Sequence, residues 1–246
     1  MPVLFVSPER INQQMISVTG DVLVHLRDSL RITVGETLWL NNGQGVKFRV
    51  AITEVSKRAV TARILETIQE PLRQTPRLIL GQSLLKGEKM DWVIQKATEL
   101  GASEIVPIES QHSVVQLKAD RLDHQLARWQ RIALEAVQQS EQWRIPTVAK
   151  PQSLSVLLTS VATGLLTLML AERLDGKSLQ MVALPQDAAG SVLVLIGPEG
   201  GWSQEEVLIA EQAGVERITL GQHILRSETA AIAAISILQS RLGELG

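Results

Sequence analysis

Apolar positions change their period once along the chain. Over the first 70 residues they alternate with polar ones in short runs, Thr37 to Leu40, Lys47 to Ile52 and Ala59 to Leu65, the two-residue period of strands with one buried face. Asn41 to Gly45, rich in asparagine and glycine, supplies the turn between the first two runs. These runs predict a small β-barrel, with one short helix from His25 to Arg31 leading into Gly35. Glu70 to Pro76 holds two prolines and no period, which reads as a linker between a domain of residues 1–72 and a second of residues 73–246.

Beyond the linker the strand-like runs become continuously apolar and alternate with helix-period segments. Strands are predicted at Arg77 to Leu80, Glu104 to Ile108, Leu165 to Leu170, Ser191 to Ile196 and Arg217 to Leu220. Helices are predicted at Lys86 to Leu100, Asp120 to Ser140, Leu154 to Val161, Ser203 to Ala213 and Glu228 to Leu242. The alternation is that of an α/β domain whose mostly parallel sheet is covered on both faces. Pro107 is uncomfortable in a central strand, so the Glu104 to Ile108 element is expected at an edge or to finish early. Ser203, followed three residues later by Glu206, has the spacing of a capping box, and Gly214 suits the helix end.

Composition narrows the chemistry. The chain has no cysteine, and its four histidines, His25, His112, His124 and His223, show no paired ligand spacing, so no metal site is implied. A net charge of -2 argues weakly against indiscriminate coating of nucleic acid, although the first 76 residues carry a small basic excess and the rest a small acidic one. No apolar run reaches membrane-spanning length, and Met1 to Val6 lacks a basic leader before Glu9 and Arg10. The expectation is a cytoplasmic protein with no membrane partner.

Two segments carry the functional signal. Ile196-Gly197-Pro198-Glu199-Gly200-Gly201-Trp202-Ser203 and Leu220-Gly221-Gln222-His223-Ile224-Leu225-Arg226-Ser227-Glu228-Thr229-Ala230 each follow an apolar strand run and precede a helix. Flexible backbone at such junctions suits close approach to a ligand; an ordinary strand-to-helix turn would explain either segment alone. Together with Lys86 to Gly101, Ile108 to Val115 and Trp129 to Ser140, and with His25 to Gly45 in the N-terminal part, they resemble the RsmE-like family of SPOUT methyltransferases. Members of that family transfer a methyl group from S-adenosylmethionine to N3 of one uridine in 16S ribosomal RNA, preferring assembled small subunits. The resemblance covers nearly the whole chain. It implies a deep trefoil knot in the C-terminal domain, a PUA-like N-terminal barrel, a homodimer, and 16S ribosomal RNA of the small ribosomal subunit as partner. Knotting is something general fold rules argue against.

The resemblance also implies a division of labour. Ala171, Glu172, Ile196, Gly197, Gly200, Gly201, Leu220, Gly221, Ile224, Leu225 and Thr229 would surround S-adenosylmethionine. Arg226, a permanent cation with paired donors, would stabilise charge on the uracil carbonyl oxygens, with Glu199 or Glu228 accepting the N3 proton or orienting the arginine. Either glutamate could equally brace backbone. His25, Arg31, Lys47, Arg49, Lys86, Gln139, Ser140 and Arg144 are the candidates for RNA contact, while Trp129 reads as packing. The chain departs from the family at His112 and Gln142, where arginines are usual. Two other readings stay open: a related SPOUT enzyme acting on another RNA position or a ribose 2'-oxygen, and an inactive RNA-binding assembly factor.

Overall fold

In the computed structural model, which describes residues 3–115, 117, 119–161, 164–171 and 176–245, the chain divides into two compact units. One is Met1–Leu72 with Val137–Ile145, the other Arg73–Ala136 with Pro146–Gly246.

The first unit is a six-stranded sheet ordered β1 (Leu4–Phe5), β4 (Thr37–Asn41), β5 (Val46–Val55), β6 (Val60–Gln69), β3 (Met15–Val18), β2 (Ile11–Asn12). Among the described residues only the β1–β4 pair is parallel. Register shifts in β5 at Arg49/Val50 and Ile52/Glu54 bend the sheet, and Leu4, Ile16, Leu40, Val50 and Ala62 from five strands close on one core. The helix begins earlier than expected. α1 (Gly20–Val24) runs into a π-type turn at His25–Ser29, which buries Leu23 and Leu26 and leaves His25 exposed.

Segment Val137–Ile145 joins this unit for a reason of hydrogen-bond accounting. Asn41 is fully buried, and its Nδ2 donates to Gln142 O at 2.8 Å. The turn amide of Gly45 donates to Trp143 O at 3.2 Å and Ile145 N to Gly43 O at 3.2 Å. A turn whose backbone would otherwise lack partners is thereby satisfied.

The second unit is built on eight parallel strands, β7 (Arg77–Ser83), β8 (Glu104–Glu109), β9 (Thr147–Val148), β10 (Gln152–Ser153), β11 (Leu166–Leu170), β12 (Lys177–Ser178), β13 (Ser191–Ile196) and β14 (Glu216–Thr219). Their order is β10-β8-β7-β13-β11-β14-β12, with β9 also on β8. Both faces are covered, as a parallel sheet requires. Leu193 and Leu195 of β13 pack with Leu154 and Leu157 of α4 (Leu154–Ser160) and Ala210 of α5 (Gln204–Gln212). The alternate residues Val192, Val194 and Ile196 are equally buried, on the side where α6 (Ser227–Leu242) lies against β7, β13 and α2 (Lys89–Glu99). α3 (Ala119–Gln139) buries Trp129, Ala133 and Ala136.

The expectation for Pro107 is corrected. β8 lies inside the sheet, paired to β7 from Glu104 to Ile108, and the proline is accommodated because the other side is split. β9 pairs Glu104 and Ile105, β10 pairs Ile108 and Glu109, and the two residues between meet no strand there. Backbone groups alternate sides along a strand: Ile105 O accepts from Ala149 and Ile108 O from Leu84 on the β7 side. Pro107 therefore turns its missing N–H toward the gap.

Candidate functional site

In a parallel sheet, ligands gather where the carboxyl ends of neighbouring strands open. β11, β13 and β14 end side by side, and the segments that follow them, Leu170–Ala171, Ile196–Trp202 and Thr219–Ser227, enclose a cavity of about 270 Å³. Ala230, one turn into α6, closes it from the helix side. Leu170, Ile196, Leu220, Ile224 and Leu225 make its wall largely apolar, with Glu199, His223 and Arg226 as its ionisable residues.

Local chemistry shapes both loops. Ser203 accepts from Glu206 N at 3.1 Å and Glu206 Oε2 accepts from Ser203 N at 2.9 Å, the capping box the spacing predicts. The other oxygen of Glu206 accepts from Gln111 N at 3.0 Å, and His112 Nδ1 lies 3.1 Å from Gly201 O, so the 110–113 turn braces the loop from outside. On the facing loop, Ser227 Oγ donates to Gly197 O at 2.5 Å and receives the amide of Gln82 at 3.0 Å.

The charges at the mouth are organised by Lys89. Its Nζ lies 2.8 Å from Glu199 Oε1 and 3.6 Å from Glu228 Oε2. Desolvation pushes the Glu199 carboxyl up, but the hydrogen bond from Lys89, a backbone hydrogen bond and the ammonium charge together hold it below the ordinary glutamate range. The same hydrogen bond raises Lys89. Glu228 Oε2 is buried without a hydrogen-bond partner. Arg226 is exposed, and its side chain has no ion-pair or hydrogen-bond partner among the described residues, which leaves its donors available.

Of the cofactor candidates, Ala171, Ile196, Gly197, Gly201, Leu220, Gly221, Ile224 and Leu225 come together on the cavity wall, as do Glu199 and Arg226. Glu172 lies outside the described residues. Gly200, Thr229 and Glu228 are off the wall. Gly200 is small for another reason: a Cβ there would stand 3.0 Å from His112 Cβ. At Gly197 the crowding comes from Trp202, whose indole Nε1 would be 3.1 Å from an added Cβ. Sequence reasoning leaves Leu170, Pro198, Trp202, Thr219, His223 and Ala230 off the wall, and leaves Ser227 between helix cap and cofactor contact. Trp202 stood inside the first motif and could have been found there, since a tryptophan between two glycines and a helix cap has few places to put its ring.

The RNA candidates separate by unit. Lys86 is exposed in the turn after β7, where Gly87 takes φ +66°. His25, Arg31, Lys47, Arg49, Gln139, Ser140 and Arg144 all belong to the first unit. Lys47 is half-buried: its Nζ donates to Glu141 O at 2.9 Å and sits 4.1 Å over the Trp143 ring, and desolvation lowers its pKa despite the nearby carboxylates of Glu141 and Glu70. Arg144 pairs with Glu70, and Arg49 lies 3.5 Å from Glu66. These three cations are partly occupied in holding their own unit together. His25 and Arg31 are exposed.

Among the described residues no helix is long and apolar enough to cross a membrane, and no group of three or more histidine, cysteine or acidic side chains is placed to hold a metal.

Comparison with known proteins agrees with this geometry. Residues 73–239 match the RNA methyltransferase domain model and residues 18–65 the RNA methyltransferase PUA domain model. Ribosomal RNA small subunit methyltransferase E of Bacillus subtilis is 31% identical over 229 residues, 90% of this chain and 88% of the relative. Its counterpart in Synechocystis is 30% identical over 240 residues, 97% of this chain and 77% of the relative. Among solved structures, ribosomal RNA small subunit methyltransferase E from Neisseria gonorrhoeae bound to S-adenosyl methionine superposes with a TM-score of 0.87 at 30% identity, over 98% of each chain. With the PUA-like unit preceding an α/β unit of SPOUT type and full-length relatives at this identity, the chain belongs to the ribosomal RNA small subunit methyltransferase E family.

Proposed function

We propose that the protein transfers a methyl group from S-adenosylmethionine to N3 of one uridine in 16S ribosomal RNA within the small ribosomal subunit, working as a homodimer. The observation that carries this is the cavity where three adjacent parallel strands end, apolar over most of its wall with Glu199 and Arg226 beside it, in a chain similar throughout to a relative bound to S-adenosyl methionine.

The lining fits that donor. Leu220, Ile224 and Leu225 offer apolar surface for a purine, and the backbone of Gly197, Leu220 and Gly221 offers amides and carbonyls without intervening side chains. When bound, S-adenosylmethionine supplies a methyl group on a cationic sulfur for in-line transfer. The remaining work falls to the chain's own residues. The imide N3 of uracil must lose its proton before it can attack, and the charge then spreads to the flanking carbonyl oxygens. Arg226, with free donors beside the cavity, stabilises that charge and so makes N3 more acidic. Among the described residues Glu199 is the carboxylate on the wall, and it is the proposed proton acceptor. Lys89 keeps it ionised and makes it a weak base, so proton loss leans on Arg226. Glu228, off the wall and behind Lys89, serves as the second counter-ion. His25, Arg31 and Lys86 are the exposed cations proposed for phosphate contact, with Lys47, Arg49, Arg144, Gln139 and Ser140 shaping the RNA-facing surface of the first unit.

The test is to incubate the protein with labelled S-adenosylmethionine and unmodified small subunits, digest the RNA, and identify the labelled nucleoside. N3-methyluridine at one position is expected. A ribose-methylated or other nucleoside would move the acceptor within the SPOUT class, and no product from folded protein and competent subunits would favour an assembly factor without activity.

A further inference from the structure

We propose that Gln82 is a positioning residue for the donor pocket, acting through Ser227 on the carbonyl of Gly197. The proposal rests on the reading of the cavity as the S-adenosylmethionine site. Gln82 sits near the carboxyl end of β7, directly beside Ile196 of β13, and is fully buried. It is not itself on the cavity wall, whereas Gly197 and Ser227 both are.

The direction of the hydrogen bonds is forced. Gln82 Nε2 donates to Ser83 O at 3.0 Å and to Ser227 Oγ at 3.0 Å, and Ser227 Oγ donates to Gly197 O at 2.5 Å. Both outer acceptors are backbone carbonyls, which cannot donate. Reversing the Gln82 amide would set Oε1 against Ser83 O, two acceptors face to face. The chain Gln82 to Ser227 to Gly197 therefore runs one way only. It ties the loop after β13 to the start of α6, the two segments that form facing walls of the cavity, and it fixes the backbone next to Arg226.

A purely stabilising role fits poorly. Gln82 Oε1 is buried with no partner, and so is Ser83 Oγ beside it. A buried amide with an unsatisfied acceptor stabilises less than an apolar side chain of similar volume. The glutamine is worth having at this position for where it holds Ser227.

Four variants test this by calorimetric titration with S-adenosylmethionine, single-turnover methylation at saturating donor, and thermal melting. Gln82→Leu is expected to keep the wild-type Tm or exceed it, while the Kd for S-adenosylmethionine rises at least about tenfold and the methylation rate falls with it. Ser227→Ala should reproduce the loss of affinity, and Ser227→Thr, which keeps the hydroxyl, should recover most of it. In the double variant Gln82→Leu/Ser227→Ala the loss should match that of Ser227→Ala alone, because both remove one relay. Wild-type affinity and rate in Gln82→Leu would overturn the proposal, as would losses that track a fall in Tm or that add in the double variant. If the wild-type protein itself fails to bind S-adenosylmethionine, the functional reading falls together with the relay; intact wild-type binding with an unaffected Gln82→Leu overturns the relay alone.

Discussion

Gly197→Ala puts the geometry of the pocket wall to a quantitative test. Gly197 has no φ in the left-handed region, so alanine meets no backbone penalty there. Its Cβ, however, would stand 3.1, 3.2 and 3.3 Å from Nε1, Cε2 and Cδ1 of the Trp202 indole, inside the relaxed separation of about 3.5–4.0 Å. The ring must retreat by some tenths of an ångström, and its own Nε1 is already buried without a partner. Overpacking of this kind costs about 1–3 kcal/mol. In a chain of this length each kcal/mol lowers Tm by about 2–4 °C. Because Trp202 also lines the cavity, a ring pushed into that space has to be displaced again on binding, which raises the Kd for S-adenosylmethionine by about 5- to 150-fold for the same 1–3 kcal/mol. Gly200→Ala is the control. Its Cβ would meet His112 Cβ at 3.0 Å, as tight a contact, but Gly200 is off the cavity wall. It should lower Tm on the same scale and, because it reaches the cavity only through the brace at His112, raise the Kd clearly less than Gly197→Ala does. The assays are differential scanning calorimetry and isothermal titration. Gly197→Ala with wild-type affinity, or Gly200→Ala with an equal loss of affinity, would refute the argument that the indole is part of the donor site.

Arg226→Ala should reduce single-turnover methylation by about 100- to 1000-fold, the usual cost of losing a donor to developing negative charge, while S-adenosylmethionine titrates as in the wild type; an undiminished rate removes Arg226 from the chemistry. Lys89→Met should move the acidic limb of kcat/KM to higher pH. The Lys89 ammonium helps hold the pKa of Glu199 below its ordinary value in the fold, so the carboxylate stays ionised to lower pH than a free glutamate; without the ammonium, desolvation remains and protonation of the base begins at a higher pH. An acidic limb unmoved in a pH–rate series would count against Lys89 as the counter-ion. Ser203→Ala opens the capping box and should cost about 1 kcal/mol, seen as a fall of about 2–4 °C in Tm, with the methylation rate per folded molecule preserved.

The elements legible in the sequence are those whose pattern is local. Continuous apolar runs marked β7, β11, β13 and β14 because a strand buried on both faces needs no polar alternation, and the capping box was legible because Ser203 and Glu206 are three residues apart. The two glycine-containing segments are legible as the rim of a cavity because each follows a strand and precedes a helix, and the carboxyl ends of parallel strands open on one side of a sheet. The segment Val137–Ile145 is not. It reads as the end of an amphipathic helix and its trailing turn, and its place in the first unit depends on one buried asparagine and the amides of a turn about 100 residues earlier.

The same contrast separates the packing around individual glycines from the place of their motif. Gly197 and Gly200 are both small positions in one loop, and from the sequence each suits close approach to a ligand. In the fold each is small because a different side chain fills the space, Trp202 at one and His112 at the other. His112 belongs to a turn almost 90 residues away, and the ion pair of Lys89 with Glu199 spans 110 residues; no spacing rule reaches that far. A loop motif therefore tells where a ligand would sit, but the groups that hold the loop to its shape come from β7, α2 and the turn after β8. Gln82 and Lys89 act on the cavity from behind it, and it is from such positions, buried or paired with the wall yet apart from the donor, that substitutions should separate the shape of the pocket from the chemistry at Arg226.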